Sequence, residues 1–447
     1  MNYNNKKVLV FGAGESGEGA INLLNRLGAK TYIFDENTQR AVALANRTGA
    51  KAIDKNNLPQ ILQIASLGVI SPGISNDSRY IVMARAMGVK IIPEIELAYS
   101  ICLAKKITVT GTNGKSSTVR LLTSALNNCG KYAVSCGNIG NSFSRCEDKL
   151  SSEDYAVIEA SSFQLENIID YRSNISILLN ITQDHVDRHG NVGNYVSAKM
   201  NLVKNVSENE YIIANFDDET IRERTLNLNS GKIVYFSAKN KLDKGVFVQD
   251  GSIYSTIYDN EIKLGELQSE IKQTTHLENI LGVIATAIIL GLDMKSVIKT
   301  INTFAPLSHT VQKVATKKGI SYVNDSKGTN VSATLYATEC INGKIALIVG
   351  GRGKGENYQI LFDNLPEKVE NIVFYGENAE LLQEIAQKSG KKGKVANSMD
   401  LAVEFASEFL DGEGTVLFSP ACASFDNYTN YKERGEDFIR AVNQYEQ

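Results

Sequence analysis

Short apolar runs alternate with segments of helical spacing along almost the whole chain. Lys7–Phe11, Thr31–Phe34 and Gly68–Ser71 read as buried strands, and Glu18–Leu27 between them carries apolar residues at helical spacing. A second series of strands runs through Ile107–Thr110, Ala156–Glu159, Ile175–Asn180 and Tyr211–Asn215. A third runs through Ile320–Asn324, Ile345–Gly350, Ile372–Tyr375 and Val416–Ser419. Such alternation predicts an α/β protein of mostly parallel sheets joined by crossover helices. Gly245–Leu267 breaks the pattern: it alternates polar and apolar around turn signals at Asp250-Gly251 and Asp259-Asn260, which predicts a small antiparallel appendage. The longest apolar run, Ile280–Leu292, is too short to span a bilayer and predicts a buried helix.

Two seams divide the series. Near Tyr99–Lys106 a helical stretch that opens at Pro93 ends in two lysines. Near Phe304–His309, Pro306 interrupts a helical stretch and a hairpin pattern follows. The domains expected are 1–100, 101–306 and 307–447, and 447 residues at roughly 150 per domain agree with three. The 47 basic and 50 acidic residues sum to −3, which gives no global basic field for a nucleic-acid backbone. Six cysteines without a C-x-x-C pair, and four histidines, show no zinc pattern and suggest a reduced, cytoplasmic chain. The N-terminus enters a strand at once and has no signal-peptide layout. No nucleic acid and no membrane are expected as partners.

Three loops carry candidate chemistry. Gly12-Ala-Gly14-Glu-Ser16-Gly17 lies between a strand and a helix, with Asp35 closing the next strand. This fingerprint suits a pyrophosphate held near a ribose, in a tight turn against a helix N-terminus. It does not distinguish a nicotinamide cofactor from another nucleoside diphosphate, and no nicotinamide-side chemistry is visible. Ser71-Pro72-Gly73 ends a strand at the same sheet edge, as a ligand contact or a simple turn.

Ile107–Thr110 runs into Gly111, Thr112, Asn113, Gly114, Lys115, Ser116 and Ser117, then a long helix. This is a shortened phosphate loop: backbone N–H groups cradle phosphates, Lys115 neutralises one, and the Ser116 hydroxyl reaches Mg²⁺. Glu159 ends a further strand, as a magnesium ligand or a capping carboxylate. His185 follows another strand in a polar loop, as ligand or base, whereas His189 reads as solvated and Lys199 as a helix-surface lysine.

In the last third, Asn324–Asn330 joins a strand to a helix; Asp325 caps backbone donors or accepts ribose hydroxyls, and Lys327 faces an anion. Gly350–Gly355, with Arg352 and Lys354, reads as an anion pocket. Cys422 lacks a histidine with a claim to activate it, which argues against a nucleophile.

Together, Gly111–Ser117, Gly137–Asn141, Glu159–Leu165, Asn180–His189, Asn324–Asn330 and Ser419–Tyr428 resemble the motifs of the Mur ligase family, the ATP-dependent amide ligases of peptidoglycan precursor synthesis. The resemblance covers essentially the whole chain, and the last two motifs point to the glutamate-adding branch. It implies a Rossmann-like N-terminal domain for a UDP-sugar, a central P-loop-type ATPase domain and a Rossmann-like C-terminal domain for the amino acid. By motif match, Ser16, Asp35, Gly73 and Asn138 contact the UDP-sugar. Gly111–Ser117, Asn279 and Asp325 bind ATP, with Lys115 on its phosphates. Ser116 and Glu159 hold one Mg²⁺; His185 and Lys199 hold a second, with Lys199 carbamylated. Lys327, Thr329, Lys354, Ser424, Phe425 and Tyr431 line the amino-acid site, and Lys115, Glu159, His185, Lys199 and Lys327 form the catalytic set. The substrates implied are UDP-N-acetylmuramoyl-L-alanine, D-glutamate and ATP, handled by a monomer.

The chain departs from that pattern at three places. The adenine motif H-N-x-x-N stands here as Thr275-His276-Leu-Glu-Asn279, the expected His-Arg is His309-Thr310, and Asn37 replaces an arginine found after Asp35 in some relatives. Arg352 is the nearby cation that could serve in place of the missing arginine. The competing readings are a catalytically impaired UDP-sugar-binding regulator, a ligase for a different amino acid, and a nicotinamide oxidoreductase.

Overall fold

The computed structural model describes residues 2–258, 260–268, 276–305 and 307–445. Asp259, Thr275 and Pro306, used in the sequence reading, lie outside them. Among the described residues the strands form sheets of five, nine and six. The first has β1 (Lys7–Phe11), β2 (Lys30–Phe34), β3 (Lys51–Ile53), β4 (Leu67–Ile70) and β5 (Ile91–Pro93), all parallel in the order β3-β2-β1-β4-β5. Val8 and Val10 face one hydrophobic core and Leu9 and Phe11 the other, as a sheet covered on both faces requires. The two three-residue strands, β3 and β5, went unseen in the sequence. Residues from Pro93 complete a strand before a helix of only Glu94–Tyr99, shorter than the stretch expected there.

The second sheet contains β6 (Lys105–Thr110), β7 (Ala133–Gly137), β8 (Tyr155–Glu159), β9 (Ile175–Leu178), β10 (Tyr211–Asn215), β11 (Lys232–Ser237), β12 (Gly245–Gln249), β13 (Ser252–Ser255) and β14 (Ile262–Glu266). Their order is β14-β13-β12-β11-β10-β9-β6-β8-β7. The expected appendage is antiparallel through β12, β13 and β14, but it is not separate: β12 pairs parallel to β11 and extends the central sheet. Asp250 (φ 49°) and Gly251 (φ 74°) make the turn its sequence announced. The apolar run forms the helix Leu277–Ile289, buried along most of its length.

The third sheet contains β15 (Gln312–Lys317), β16 (Ile320–Asn324), β17 (Ile345–Val349), β18 (Val369–Tyr375), β19 (Gly393–Ala396) and β20 (Gly414–Phe418). Their order is β15-β16-β20-β17-β18-β19. The hairpin β15–β16 is antiparallel and the remaining pairs are parallel. No described helix is long and apolar enough to cross a membrane.

The chain divides into two compact units. The first holds the first two sheets; the second consists of Thr182–Val192, Gln268–His276 and Thr303–Gln447. Within the first, helix Glu15–Arg26 presses against Ser142–Arg145, where a Cβ on Gly19 would fall 2.3 Å from Ser142 Oγ. Glu96 accepts backbone N–H bonds from Ile169, Asp170 and Tyr171 at 2.8–3.1 Å, and Glu94 accepts from Ser144. These buried carboxylates tie the helix after β5 to the central sheet; Glu96 finds donors for both oxygens, whereas Glu94 Oε2 is buried without a hydrogen-bond partner among the described residues.

Candidate active site

The glycine turn after β1 sits where strand order reverses, between β1 and β4, the usual ligand crevice of an open α/β sheet. Each glycine has its own reason. Gly12 (φ 98°) turns the chain against Ser71, and a Cβ on Gly17 would meet Gly12 O at 1.9 Å. Gly14 has open space around it, so a ligand can approach its backbone. Asp35 braces the turn, its two oxygens accepting from the Ala13 and Asn37 N–H groups at 2.8 Å each. Asn37 caps helix Thr38–Thr48. Ser16 is half-buried at the start of its helix and Gly73 is exposed. Overpacking at a turn this tight costs about 1–3 kcal/mol. Gly17→Ala is therefore expected to lower unfolding free energy by about that much, and Gly14→Ala to stay within about 0.5 kcal/mol. Urea titration of the two variants measures this.

The phosphate loop leaves β6 at Gly111, and Gly114 (φ 84°) caps helix Lys115–Asn128. Asn180, two residues after β9, holds the loop with side chain and backbone: its Oδ1 accepts from Asn113 N–H at 2.8 Å, and Thr112 N–H donates to its carbonyl at 2.8 Å. Asn279 packs against Gly114, and its buried Oδ1 finds no hydrogen-bond partner among the described residues. Lys115 Nζ donates to the carbonyls of Gly111 and Thr112, both at 2.7 Å. Lys199, on helix Val192–Met200, is not the surface lysine its sequence position alone suggests. It is 2% exposed, and its Nζ also donates to Gly111 O at 2.7 Å, 4.7 Å from the Tyr195 ring centre. Two ammonium groups thus share one carbonyl.

Ser116 Oγ donates to Glu159 Oε2 at 2.7 Å, and Asn138 Nδ2 donates to Oε1 at 3.0 Å. A hydroxyl and a buried carboxylate side by side form a hard-oxygen set suited to Mg²⁺. Ser117 is half-buried one residue on. Gly140 of the same loop as Asn138 lies beside the first glycine turn, its ideal Cβ 3.7 Å from Glu15 Oε2. The structure therefore brings Asn138 to Glu159 and places its loop against Gly12–Gly17.

The second unit gathers three loops at the carboxyl ends of the neighbouring strands β16, β20 and β17. Arg434, wholly buried on helix Tyr431–Gln444, joins two of them. It donates to Ser326 Oγ and O and to the carbonyls of Cys422 and Ala423, at 2.9–3.1 Å. The third is tied in by paired backbone bonds between Arg352 and Ala423, both 2.9 Å. Ser424 is buried, Phe425 is 61% exposed, and Lys327, Thr329 and Tyr431 are half-buried. Asp325 is buried, accepting from Val311 N–H at 3.1 Å and from Ser419 Oγ at 2.7 Å, and burial pushes its carboxyl up to about 7. Burial likewise pushes the Cys422 thiol up to about 12, away from the thiolate that a nucleophile needs. Lys354 Nζ meets Asp184 Oδ1 at 2.7 Å. His185 (φ 52°) opens the helical turn Val186–His189 and is 37% exposed. His189 is buried rather than solvated: it closes that single turn, which rolls its ring inward. His185 falls in the second unit and Lys199 in the first. Arg352 is half-exposed and pairs with Glu377 at 2.9 Å, and the Thr310 hydroxyl is buried without a hydrogen-bond partner among the described residues.

Sequence reasoning missed Arg434, Asn180 and Asp184. Asn180 and Asp184 at least follow a strand in a polar run; Arg434 is one more charged residue of an amphipathic helix, with nothing local to mark it.

Comparison with known proteins bears on these sites. Residues 6–93 match the Mur ligase MurD-like N-terminal domain, 109–287 the Mur ligase middle domain, and 311–422 the Mur ligase glutamate ligase domain. The UDP-N-acetylmuramoylalanine–D-glutamate ligase of Alkaliphilus oremlandii is 37% identical, covering 99% of both chains. The enzyme of that name from Ligilactobacillus salivarius is 35% identical over 98% of this chain and 96% of its own. Among solved structures, the UDP-N-acetylmuramate–alanine ligase of Thermotoga maritima shares the fold with a TM-score of 0.57 at 19% identity, covering 98% of this chain and 99% of its own. With three matching domains in order and relatives alike over their full length, the chain belongs to the Mur ligase family.

Proposed function

We propose that this enzyme joins D-glutamate to UDP-N-acetylmuramoyl-L-alanine, with ATP cleaved to ADP and phosphate. The observation that carries the reading is Glu159, bracketed by Ser116 and Asn138 beside Lys115. It sets a magnesium-type oxygen pair between a phosphate loop and the loop that faces the first glycine turn. An oxidoreductase reading leaves that arrangement without a task.

In this reading the UDP-sugar diphosphate lies over Gly12–Gly17, with Asp35, Ser16, Gly73 and Asn138 around it. The sugar-linked carboxylate attacks the γ-phosphate of ATP and gives an acyl phosphate. Lys115 exchanges the Gly111 and Thr112 carbonyls for phosphate oxygens, and its charge offsets the anions that crowd the transition state. Ser116 and Glu159 would hold a Mg²⁺ ion, which would supply further neutralisation of phosphate charge. Lys199 suits carbamylation, because converting it removes one of the two cations that share Gly111 O and leaves a carboxylate-like ligand. His185 is assigned as a metal ligand by its motif. Asn279 faces Gly114 at the nucleotide end, and Asp325 is assigned to the ATP ribose. Glutamate is held by Lys327, Thr329, Lys354, Ser424, Phe425 and Tyr431; its amine attacks the acyl carbon and phosphate leaves. The enzyme is proposed to work as a cytoplasmic monomer.

The test is phosphate release with ATP, Mg²⁺ and UDP-N-acetylmuramoyl-L-alanine, in the presence of D-glutamate, L-glutamate or neither. Release that requires D-glutamate is the expected result. Release with L-glutamate alone assigns another amino acid, and a folded protein that releases none with either refutes the ligase reading.

A further inference from the structure

Lys354 stands between two carboxylates that are held very differently. Its Nζ lies 2.7 Å from Asp184 Oδ1 and 3.7 Å from Glu356 Oε1. Asp184 is well supplied with donors: Lys354 and the His185 N–H on Oδ1, and Asn330 Nδ2 on Oδ2 at 3.1 Å. Burial works to raise its carboxyl, but the Lys354 charge beside it holds it below the ordinary value.

The Glu356 side chain is 3% exposed and accepts a bond from Val331 N–H on Oε2 at 2.9 Å. Its Oε1 is buried and meets no hydrogen-bond partner among the described residues; the Lys354 ammonium stands 3.7 Å away and donates to Asp184. A carboxylate tolerates such a place poorly and a neutral carboxyl far better. Burial accordingly pushes Glu356 up to about 7, against the pull of Lys354.

We propose that Glu356 tunes the amino-acid site by trading its charge for a proton: as the side-chain carboxylate of the incoming amino acid reaches Lys354, Glu356 takes a proton from solvent and releases its share of that ammonium. The proposal rests on the reading that Lys354 lines the glutamate site, and it adds that the side-chain carboxylate is the group Lys354 meets. Without the exchange, a third carboxylate would join two that already face one cation. Asp184, with its full set of donors, keeps its charge.

The sign is fixed by which form binds. Protonated Glu356 accepts the substrate and the carboxylate repels it, so affinity falls as pH rises through about 7. The other groups facing Glu356 are Lys354, Asp184, Tyr358 and Cys422. Burial raises Tyr358 and pushes Cys422 up to about 12, so both stay neutral across this range. His185 faces Asp184 at 3.7 Å.

The experiment measures KM for D-glutamate in phosphate release from pH 6 to pH 8, in the wild type and in Glu356→Gln. Glutamine keeps an acceptor for Val331 N–H and cannot titrate. Wild-type KM is expected to rise about tenfold across that range, and KM of the variant to change less than about twofold. The variant retains His185 and Asp184, so any slope they cause would persist in it. Should the variant not fold, calorimetry of glutamate binding to the wild-type enzyme in two buffers of different ionisation enthalpy serves instead. Uptake of about half a proton at pH 7 is expected. A flat wild-type KM, an equal slope in the variant, or binding without proton uptake overturns the proposal while the ligase reading stands. A wild type that releases no phosphate with glutamate overturns both.

Discussion

Lys115→Ala is expected to lower the maximal rate of phosphate release by about 100- to 1,000-fold, the cost of removing one preorganised partner of transition-state charge. The geometry says why so large an effect should come with an intact fold. Lys115 Nζ donates to the carbonyls of Gly111 and Thr112, both within its own loop. The loop itself is held by Asn180 and by the Gly114 cap, which the substitution leaves in place. The Gly12–Gly17 turn, assigned to the UDP-sugar, has its own brace in Asp35. Calorimetric affinity for the UDP-sugar should therefore stay near the wild-type value while turnover collapses. Lys115→Arg is not expected to restore the rate, because a planar fork cannot fold back into a loop built for a point charge. Turnover within about tenfold of wild type in the alanine variant would show that the cation is dispensable, against the role given to it here.

That pairing of loop and lysine was legible in the sequence because its parts are contiguous. Strand, glycines, lysine and hydroxyl follow one another, and local order fixes local geometry. The same holds for the glycine turn after β1, and for the parallel sheets, whose strands are continuous apolar runs because both faces are covered. The two short strands were hidden because three residues hold too little periodicity, and in β5 the last is a proline. The segment Gly245–Leu267 showed its antiparallel character through alternation, but alternation cannot say whether the first strand also pairs with a neighbour, which β12 does with β11.

What the sequence concealed is the burial of charge. Lys199 read from its own surroundings is an ordinary helix lysine, and only the tertiary fold turns it onto Gly111 O. Glu356 is one residue of a polar loop until Lys354 and helix Val331–Cys340 close around it. His189 looks solvated because its neighbours in the chain are polar. In each case the partner lies far along the chain, and a charged residue carries no mark of whether its solvent will be water or protein.

Arg434 is the extreme instance, and Arg434→Met is expected to be the most damaging single change in the second unit. Its guanidinium is wholly buried on the inner side of helix Tyr431–Gln444, and among the described residues it hydrogen-bonds to no carboxylate. It is satisfied by the carbonyls of Ser326, Cys422 and Ala423 and by the Ser326 hydroxyl. Burial lowers its tendency to hold a proton, to about 10, yet that remains far above neutrality, so the cation persists. Methionine approximates the stem but supplies no donor: the buried carbonyls of Ser326 and Cys422 lose the guanidinium at once, and Ala423 O is left with the Arg352 N–H alone. Each such loss costs about 1–3 kcal/mol, and breaking a buried charged network typically costs about 3–5 kcal/mol. We therefore expect a fall of about 4 kcal/mol in unfolding free energy, read by urea titration. Function should suffer beyond what stability alone predicts. Ser326 precedes Lys327, and Ala423 precedes Ser424, so Arg434 is the clasp between two loops assigned to glutamate. At a temperature where the variant is still folded, KM for D-glutamate should rise by more than about tenfold, while KM for the UDP-sugar, whose proposed site is in the first unit, stays within about twofold. Equal losses at both substrates would mean that the clasp is only a structural rivet, and a stability change below about 1 kcal/mol would mean that the carbonyls find other donors without it.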